Sequence, residues 1–395
     1  VKVSGLNGAA SIQAINVSFA PNNHYSTVNK AISIAQGAGS ATVNLIQGAI
    51  YNVSSDAVAG YTASFAPQPL TISNQHQTET ITYKKASPTG NFIYSPYKDT
   101  GINMDWNTYV ISTKVTGTRQ PLVNILTRNT NRAVTLAFAT GSCQAPSWGG
   151  VSSSVLAKNN ISTLAKNNIN YIISTGGAAG TFSCSSATAM NNFLNTFASK
   201  NFLGLDFDIE GNTDFTALMK TTAAVQKQWQ QQGKKLRVSL TLATLAVKGQ
   251  TINQLGQAAL QAAQQAGLQF NVNLMVMDYG SNINCQHNAQ GECDMGASAI
   301  FAAQEFSRMY HIPLNRIELT PMIGENDTPN ETTTLGDIAK IAQFAKQNNL
   351  AGLHFWSFDR DTPCSTSGVG LYGASPTCNT TSKAPLAYDQ AALKA

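Results

Sequence analysis

Three acidic side chains, Asp206, Asp208 and Glu210, take alternate positions in the run LGLDFDIEG, residues 203–211. In a β-strand they share one face, while Leu205, Phe207 and Ile209 share the other. Neighbours on one face sit roughly 6.5–7 Å apart. Three ionised carboxylates at that spacing in a poorly solvated interior repel, and at least one is expected to hold a proton near neutral pH. An acid kept protonated beside a carboxylate can protonate a leaving oxygen, the step that cleavage of a glycosidic bond requires. Two other readings compete. Alternating acids on an edge strand can be a solvated face, but the opposite face here is uniformly apolar and the flanks are not polar. A divalent-cation site built on carboxylate oxygens lacks a His or Asn spaced nearby to complete it. No metal and no cofactor is expected.

The surrounding chain supplies elements able to hold such a strand. From about residue 91, short apolar runs read as strands: NFIYSPY, AVTLAFA, NYIISTGG, LGLDFDIE, LRVSLTLA, NVNLMVMDYG, RIELTPMIG and AGLHFWSF. Between them lie stretches with helical apolar spacing, such as SSATAMNNFLNTFASK, FTALMKTTAAVQKQWQQQG, TINQLGQAALQAAQQAG and LGDIAKIAQFAKQNN. This α/β alternation predicts a (β/α)8 TIM barrel. In a barrel the acidic face points inward, and Glu210, followed by Gly211, lies at the strand's C-terminal end, where barrel enzymes place their chemistry. A doubly wound sheet is the alternative, but no Gly-rich phosphate loop follows the first strand. Residues 98–132 are not clearly helical, and no element is assigned there.

Roughly the first 85 residues differ in character. SIQAINVSFA, SATVNLIQGA and PLTISNQHQTETITYKK alternate between turns bearing Asn, Gly and Pro, the pattern of a small all-β sandwich. The turn-rich KASPTG at 85–90 separates the two patterns. The expected domains are therefore 1–88, a β-sandwich accessory domain, and 89–395, the barrel.

Only 11% of the 395 residues are charged, against roughly a quarter in an average soluble protein. The surface is made instead from Asn, Gln, Ser and Thr, which suits a protein outside the cell. The net charge of +5 comes without a basic block, so it is a solubility signal and not a nucleic-acid footprint. No run reaches the roughly 18–20 apolar residues of a membrane span. The chain opens at Val1 with no leader-like stretch, as expected of a mature or trimmed form. Six cysteines fall into local pairs, Cys143 with Cys184, Cys285 with Cys293 and Cys364 with Cys378. None has the CxxC spacing of a zinc site; three loop-stapling disulfides and an oxidising compartment are expected, with reduced structural cysteines as the alternative. A secreted monomer fits these signs. Asn-x-Ser/Thr sites include Asn52, Asn160 and Asn379.

At the carboxylate strand a family resemblance enters. LGLDFDIEG resembles the DGxDxDxE signature of glycoside hydrolase family 18, the chitinases and their relatives, with Leu203 where the first Asp normally stands. STGG at 174–177 is similar to that family's third-strand SxGG, MVMDYG at 275–280 to its sixth-strand Met-x-Tyr segment, and HFWSFDRD at 354–361 to its eighth-strand tryptophan. YSPY and LAFATGSCQAPSWGG are similar to early strands and loops of secreted bacterial members. The resemblance covers about residues 91–390.

The resemblance implies a substrate-assisted retaining mechanism, without a protein nucleophile. Glu210 would protonate the glycosidic oxygen and later activate water. Asp208 would hold the acetamido N–H of the sugar, Asp206 would share a proton with Asp208, and the Tyr279 hydroxyl would reach the same acetamido group. Met277 would line the pocket, with Asp278 turned away by strand alternation. Trp356 would floor the scissile sugar, and Tyr97, Phe138 and Trp148 would stack along the cleft. Leu203 is expected to point outward unless the strand bulges, and its departure bears on the support of Asp206. Gly280 stands where many members carry a further Asp. The implied substrate is chitin or another N-acetylglucosamine-containing oligosaccharide or glycoprotein. Alternatives are an endo-β-N-acetylglucosaminidase or glycoprotein-directed hydrolase of the same family, and a non-catalytic chitin-binding lectin. For the N-terminal β region, Tyr25, Tyr51 and Tyr61 suggest aromatic platforms of an accessory carbohydrate-binding module.

Overall fold

The computed structural model describes residues 1–395 apart from 7–11, 23, 57, 59–60, 86–91, 129–132 and 366–373. The chain divides into two compact units: Val1–Asn91 with Phe306–Asn315 and Gln347–Asn349, and Phe92–Glu305 with Arg316–Lys346 and Leu350–Ala395. Residues 86–90 of the expected seam, and the expected boundary at 88/89 with them, lie outside the described residues.

In the larger unit the eight apolar runs become a closed parallel barrel. Its strands are β1, in two pieces Ile93–Tyr94 and Tyr97–Asp99, β2 (Ala133–Ala139), β3 (Asn170–Gly176), β4 (Phe202–Ile209), β5 (Arg237–Val247), β6 (Asn271–Met275), β7 (Ile317–Thr320) and β8 (Gly352–Leu353). The sheet runs from the second piece of β1 through β2 to β8 in chain order and returns to the first piece of β1. Both ends of the order belong to one segment, so the ring has no free edge. Helices α1 (Leu122–Arg128), α2 (Ser153–Lys166), α3 (Ala187–Thr196), α4 (Phe215–Gln231), α5 (Gln254–Gln265), α6 (Met295–Tyr310), α7 (Leu335–Gln347) and α8 (Ala387–Lys394) lie between or after the strands. Four of them begin where a short polar residue caps them. Ser152, Ser186, Asp214 and Asn253 each accept the backbone N–H three residues on, satisfying a donor the first turn leaves unpaired. Within the stretch left unassigned, residues 112–128 form a small hairpin, Ser112–Thr113 with Gln120–Pro121, followed by α1.

Strand β4 bulges at its start. Tyr171 pairs with Phe202 but Ile172 pairs with Gly204, leaving Leu203 as an extra residue. Gly204 has φ +155°, and a Cβ there would come 2.0 Å from the Arg237 carbonyl oxygen, so only glycine fits. The bulge thus falls at the position where the motif departs from its family. Beyond it, strict alternation resumes and aims the three acids inward. The STGG glycines serve the same strand: a Cβ on Gly176 would lie 2.2 Å from the Asp208 carbonyl oxygen, and Gly177 N–H donates to that oxygen at 3.2 Å.

The residues of Val1–Asn91 form two four-stranded sheets over one core. One sheet orders Gly39–Ser40, Lys2–Ser4, Thr80–Lys85 and Tyr61–Ala66; the other orders Val28–Ser33, Ala14–Pro21, Ile50–Ser55 and Leu70–Thr71. Val17, Phe19, Ile32, Tyr51, Val53, Ile81 and Tyr83 fill the space between, which is sandwich packing. Tyr51 is therefore core and not a surface platform, because alternation on its strand turns it inward. Tyr25 is 43% exposed and Tyr61 half-buried. Of the Asn-x-Ser/Thr sites at Asn52, Asn160 and Asn379, two are closed. Asn160 is buried, accepting Ile111 N–H at 2.8 Å and donating to Tyr109 O at 2.9 Å; Asn379 is buried and donates to Arg360 O at 2.8 Å. Asn52 is exposed.

Candidate active site

The barrel interior beneath the carboxylates is polar and hydrogen-bonded throughout, unlike the branched apolar filling common in such barrels. Asp206 is its centre. Tyr97 Oη and Ser174 Oγ donate to its Oδ2 at 2.9 and 2.6 Å, and Ser239 Oγ and Thr241 Oγ1 donate to its Oδ1, both at 2.7 Å. Behind them Asn273 Nδ2 donates to Tyr97 Oη at 3.0 Å and to Thr241 Oγ1 at 2.9 Å, while its Oδ1 accepts from Thr320 at 2.8 Å. Three strands besides β4 thus donate to one buried carboxylate, and β6 and β7 support them from behind. Two donors per oxygen use its acceptor capacity, so this cage holds Asp206 in place directly beneath Asp208.

Above this layer opens a cavity of about 470 Å³, lined by Asp208 and Glu210 together with Tyr97, Phe138, Met277 and Trp356. Asp208 is buried, and its Oδ1 has no hydrogen-bond partner among the described residues. Burial, then the Glu210 charge, then the Asp206 charge push its carboxyl well above the usual range. Glu210 sits one residue past β4 and is open to the cavity. Its pKa is also raised, first by desolvation and then by the Asp278 carboxylate, against a backbone hydrogen bond from Ala178. A raised acid at the mouth and a buried carboxyl with a bare oxygen one step deeper can together protonate one atom and accept a hydrogen bond from another.

The aromatic wall brings together residues far apart in sequence. Phe138 and Trp356 stack with ring centroids 5.6 Å apart at 22°, and Tyr97 packs against both at 6.3 and 6.2 Å. Trp148 does not join them. It is 1% exposed, donates its indole N–H to Ser153 Oγ at 2.9 Å and packs on Phe197. The hairpin Ser147–Trp148 with Val151–Ser152 turns it into the interior, so it anchors a loop and lines no part of the cavity.

The sixth-strand segment differs most from expectation. β6 ends at Met275, and Asp278 has φ +48°, so strand alternation no longer governs residues 276–280. Met275 and Met277 both face the cavity, and so does Asp278, whose carboxylate accepts Thr328 N–H at 2.8 Å. Tyr279 is 2% exposed and absent from the lining; its N–H donates to Glu331 Oε2 at 2.9 Å. The carboxylate that acts on Glu210 is therefore Asp278, and the buried Tyr279 hydroxyl has no hydrogen-bond partner among the described residues. Met322, Asp327 and Asn253 also line the cavity; Met322 lies just past β7 and Asn253 caps α5. Because the Asp278 charge helps hold the Glu210 proton, Asp278→Asn is expected to lower the Glu210 pKa. The alkaline limb of a pH–rate profile, where the acid loses its proton, then moves to lower pH while the enzyme remains folded; an unmoved limb would refute the coupling.

All six cysteines pair as expected, Cys143–Cys184, Cys285–Cys293 and Cys364–Cys378. Among the described residues no group of three or more His, Cys, Asp or Glu is arranged to hold a metal ion, and no helix is long and apolar enough to cross a membrane.

Comparison with known proteins agrees with this geometry. No protein-family model matches the chain. Residues of the chain align over 308 positions, at 27% identity, with a probable bifunctional chitinase/lysozyme of Escherichia coli strain K12, covering 72% of this chain and 32% of that protein. A second alignment of 308 residues, at 28% identity, is with endochitinase 11 of Metarhizium anisopliae, covering 71% of this chain and 54% of that protein. The matched region thus spans about a third and about half of these curated relatives. Among solved structures, the catalytic domain of a hyperthermophilic chitinase from Pyrococcus furiosus superposes with a TM-score of 0.60 at 24% identity, covering 78% of this chain and 97% of that domain. The barrel is therefore the fold of a solved chitinase catalytic domain, and the chain is similar in sequence to proteins named as chitinases.

Proposed function

We propose that the chain hydrolyses β-1,4 linkages between N-acetylglucosamine units, in chitin or its oligosaccharides, by substrate-assisted retaining catalysis. The observation that carries this reading is the pairing of an open, raised Glu210 with a buried Asp208 in one cavity walled by Tyr97, Phe138 and Trp356. Glu210 protonates the glycosidic oxygen. The sugar's own acetamido oxygen attacks the anomeric carbon, closing an oxazolinium ring as the leaving alcohol departs, and Glu210 then takes a proton from the water that reopens it. Asp208 accepts the acetamido N–H, with its free Oδ1 available for that bond, and stabilises the positive charge that develops on the ring. The aromatic plates receive the apolar faces of the sugar. The matched relatives are named as chitinases, which supports the substrate class. Residues 1–88 would act as an accessory domain, and the three disulfides fit a secreted chain acting as a monomer.

The test is a pair of fluorogenic disaccharides that differ only at carbon 2, an N,N′-diacetylchitobioside and a cellobioside. Release from the first and none above background from the second is expected, because only the first carries the attacking acetamido group. Equal release from both would overturn the mechanism.

A further inference from the structure

Beside the cavity lies a second hollow of about 890 Å³, between two loops of the barrel's C-terminal face. One loop follows β6 and is stapled by Cys285–Cys293; the other follows β7. The two hollows adjoin in sequence, since Asp278 and Asp327 line the first while Gly280 and Thr328 line the second. Four acids, Glu292, Asp294, Glu331 and Asp337, line the second hollow amid Asn, Ser and Thr side chains. Three of them are already engaged. Asp337 accepts Thr334 N–H and Gly296 N–H, Asp294 accepts Ala297 N–H and pairs with Lys340 at 3.2 Å, and the exposed Glu292 accepts Asn288 Nδ2 on one oxygen at 3.1 Å.

Glu331 is different. It is 3% exposed, its Oε2 takes the Tyr279 N–H, and its Oε1 has no hydrogen-bond partner among the described residues. A buried carboxyl oxygen left bare is destabilising unless a ligand donates to it. Burial, and the charge of nearby Asp278, raise the Glu331 pKa against the hydrogen bonds of the Tyr279 and Gly280 amides. Of the positive charges near this region, Lys340 is paired with Asp294, and Arg360 turns its guanidinium to the carbonyls of Ile323, Glu325 and Ser375. Acid therefore follows acid from Glu210 through Asp278 to Glu331, and a donor bearing positive charge fits the gap better than a neutral one.

We propose that this groove is a subsite for a protonated 2-amino sugar, so that the chain acts on partly deacetylated N-acetylglucosamine polymers. The acetylated unit occupies the cavity, where its acetamido group reacts. A deacetylated unit further along the same chain sets its ammonium, with three donors, against Glu331 and the exposed Glu292. This inference rests on the hydrolase reading above.

The experiment compares kcat/KM for a fully acetylated trimer, a fully acetylated hexamer and a partly deacetylated hexamer. The wild-type chain should favour the deacetylated hexamer over the acetylated one by about tenfold, the weight of one charge-assisted contact. High salt should reduce that preference. Glu331→Gln and, separately, Glu292→Gln should bring the ratio toward one and leave the trimer unchanged. Glu292 is at the surface, so its variant guards against a folding defect at Glu331. Equal rates on both hexamers in the wild type, or a preference that survives both substitutions, would overturn the subsite. No turnover of any of the three would instead overturn the hydrolase reading, and the subsite with it.

Discussion

Glu210→Gln is expected to lower kcat on an unactivated chitooligosaccharide by about 10²–10⁴-fold, the usual worth of a positioned general acid–base group. Glutamine matches glutamate in size and reaches the same place in the cavity, but it carries no transferable proton. The variant should therefore bind substrate with KM little changed and fail at the chemical step. The loss has a further signature. With an aryl leaving group that departs without protonation, the first step is spared, yet water must still be deprotonated to open the oxazolinium ring. Ring opening becomes rate-limiting, and a burst of aryl alcohol precedes slow turnover. The substitution also removes a negative charge that raises the Asp208 pKa, so Asp208 ionises more readily and its hold on the acetamido N–H is not weakened. Steady-state kinetics on chitotetraose and burst kinetics on the aryl chitobioside check both expectations; full activity in Glu210→Gln would remove Glu210 from the mechanism.

What the sequence shows of this site depends on whether local regularity persists to the residue concerned. Asp206, Asp208 and Glu210 were legible because β4 is regular from Gly204 to Ile209 and period-two alternation holds along it. The same rule carried from β6 into residues 276–280 fails, because the strand stops at Met275 and Asp278 takes a left-handed conformation. Alternation then assigns Asp278 to the wrong side. The hydroxyl cage around Asp206 was invisible for another reason. Tyr97, Ser174, Ser239, Thr241 and Asn273 come from β1, β3, β5 and β6, and a lone Ser or Thr in an apolar strand carries no sign that it faces a carboxylate. Trp148 shows the converse, a tryptophan beside two glycines whose surroundings read as a loop while its indole is buried against Phe197. Barrel topology was legible as a whole because it follows from the count and order of strands, which need no single residue to be placed correctly.

One layer nearer the N-terminal ends of the strands, Glu318 decides a different outcome, that of stability. It is fully buried, contacts the Arg237 guanidinium and accepts from Asn271 Nδ2 at 2.7 Å, and its Oε2 lies 3.1 Å from His354 Nε2, whose other ring nitrogen meets Ser95 O at 2.7 Å. Burial alone would raise its pKa, but Arg237 and His354 override it and hold the carboxyl at about 2 against an ordinary 4.5. A depressed carboxyl contributes stability that is complete above its unfolded value and is lost as pH falls toward its folded value. That contribution is about 3 kcal/mol, at roughly 1.4 kcal/mol per pH unit, and it disappears between about pH 4.5 and 2. Glu318→Gln leaves the Arg237 guanidinium in the barrel without its counter-charge, and is expected to cost roughly 3–5 kcal/mol at pH 7. Urea unfolding of the two proteins should show a wide gap at pH 7 that narrows as pH drops through this window, since protonation removes from the wild type what the substitution has already removed. Because the cluster lies below the Asp206 layer, kcat per folded molecule should stay near the wild-type value. A gap that persists unchanged at low pH would show that the substitution acts through packing and not through the charge of Glu318.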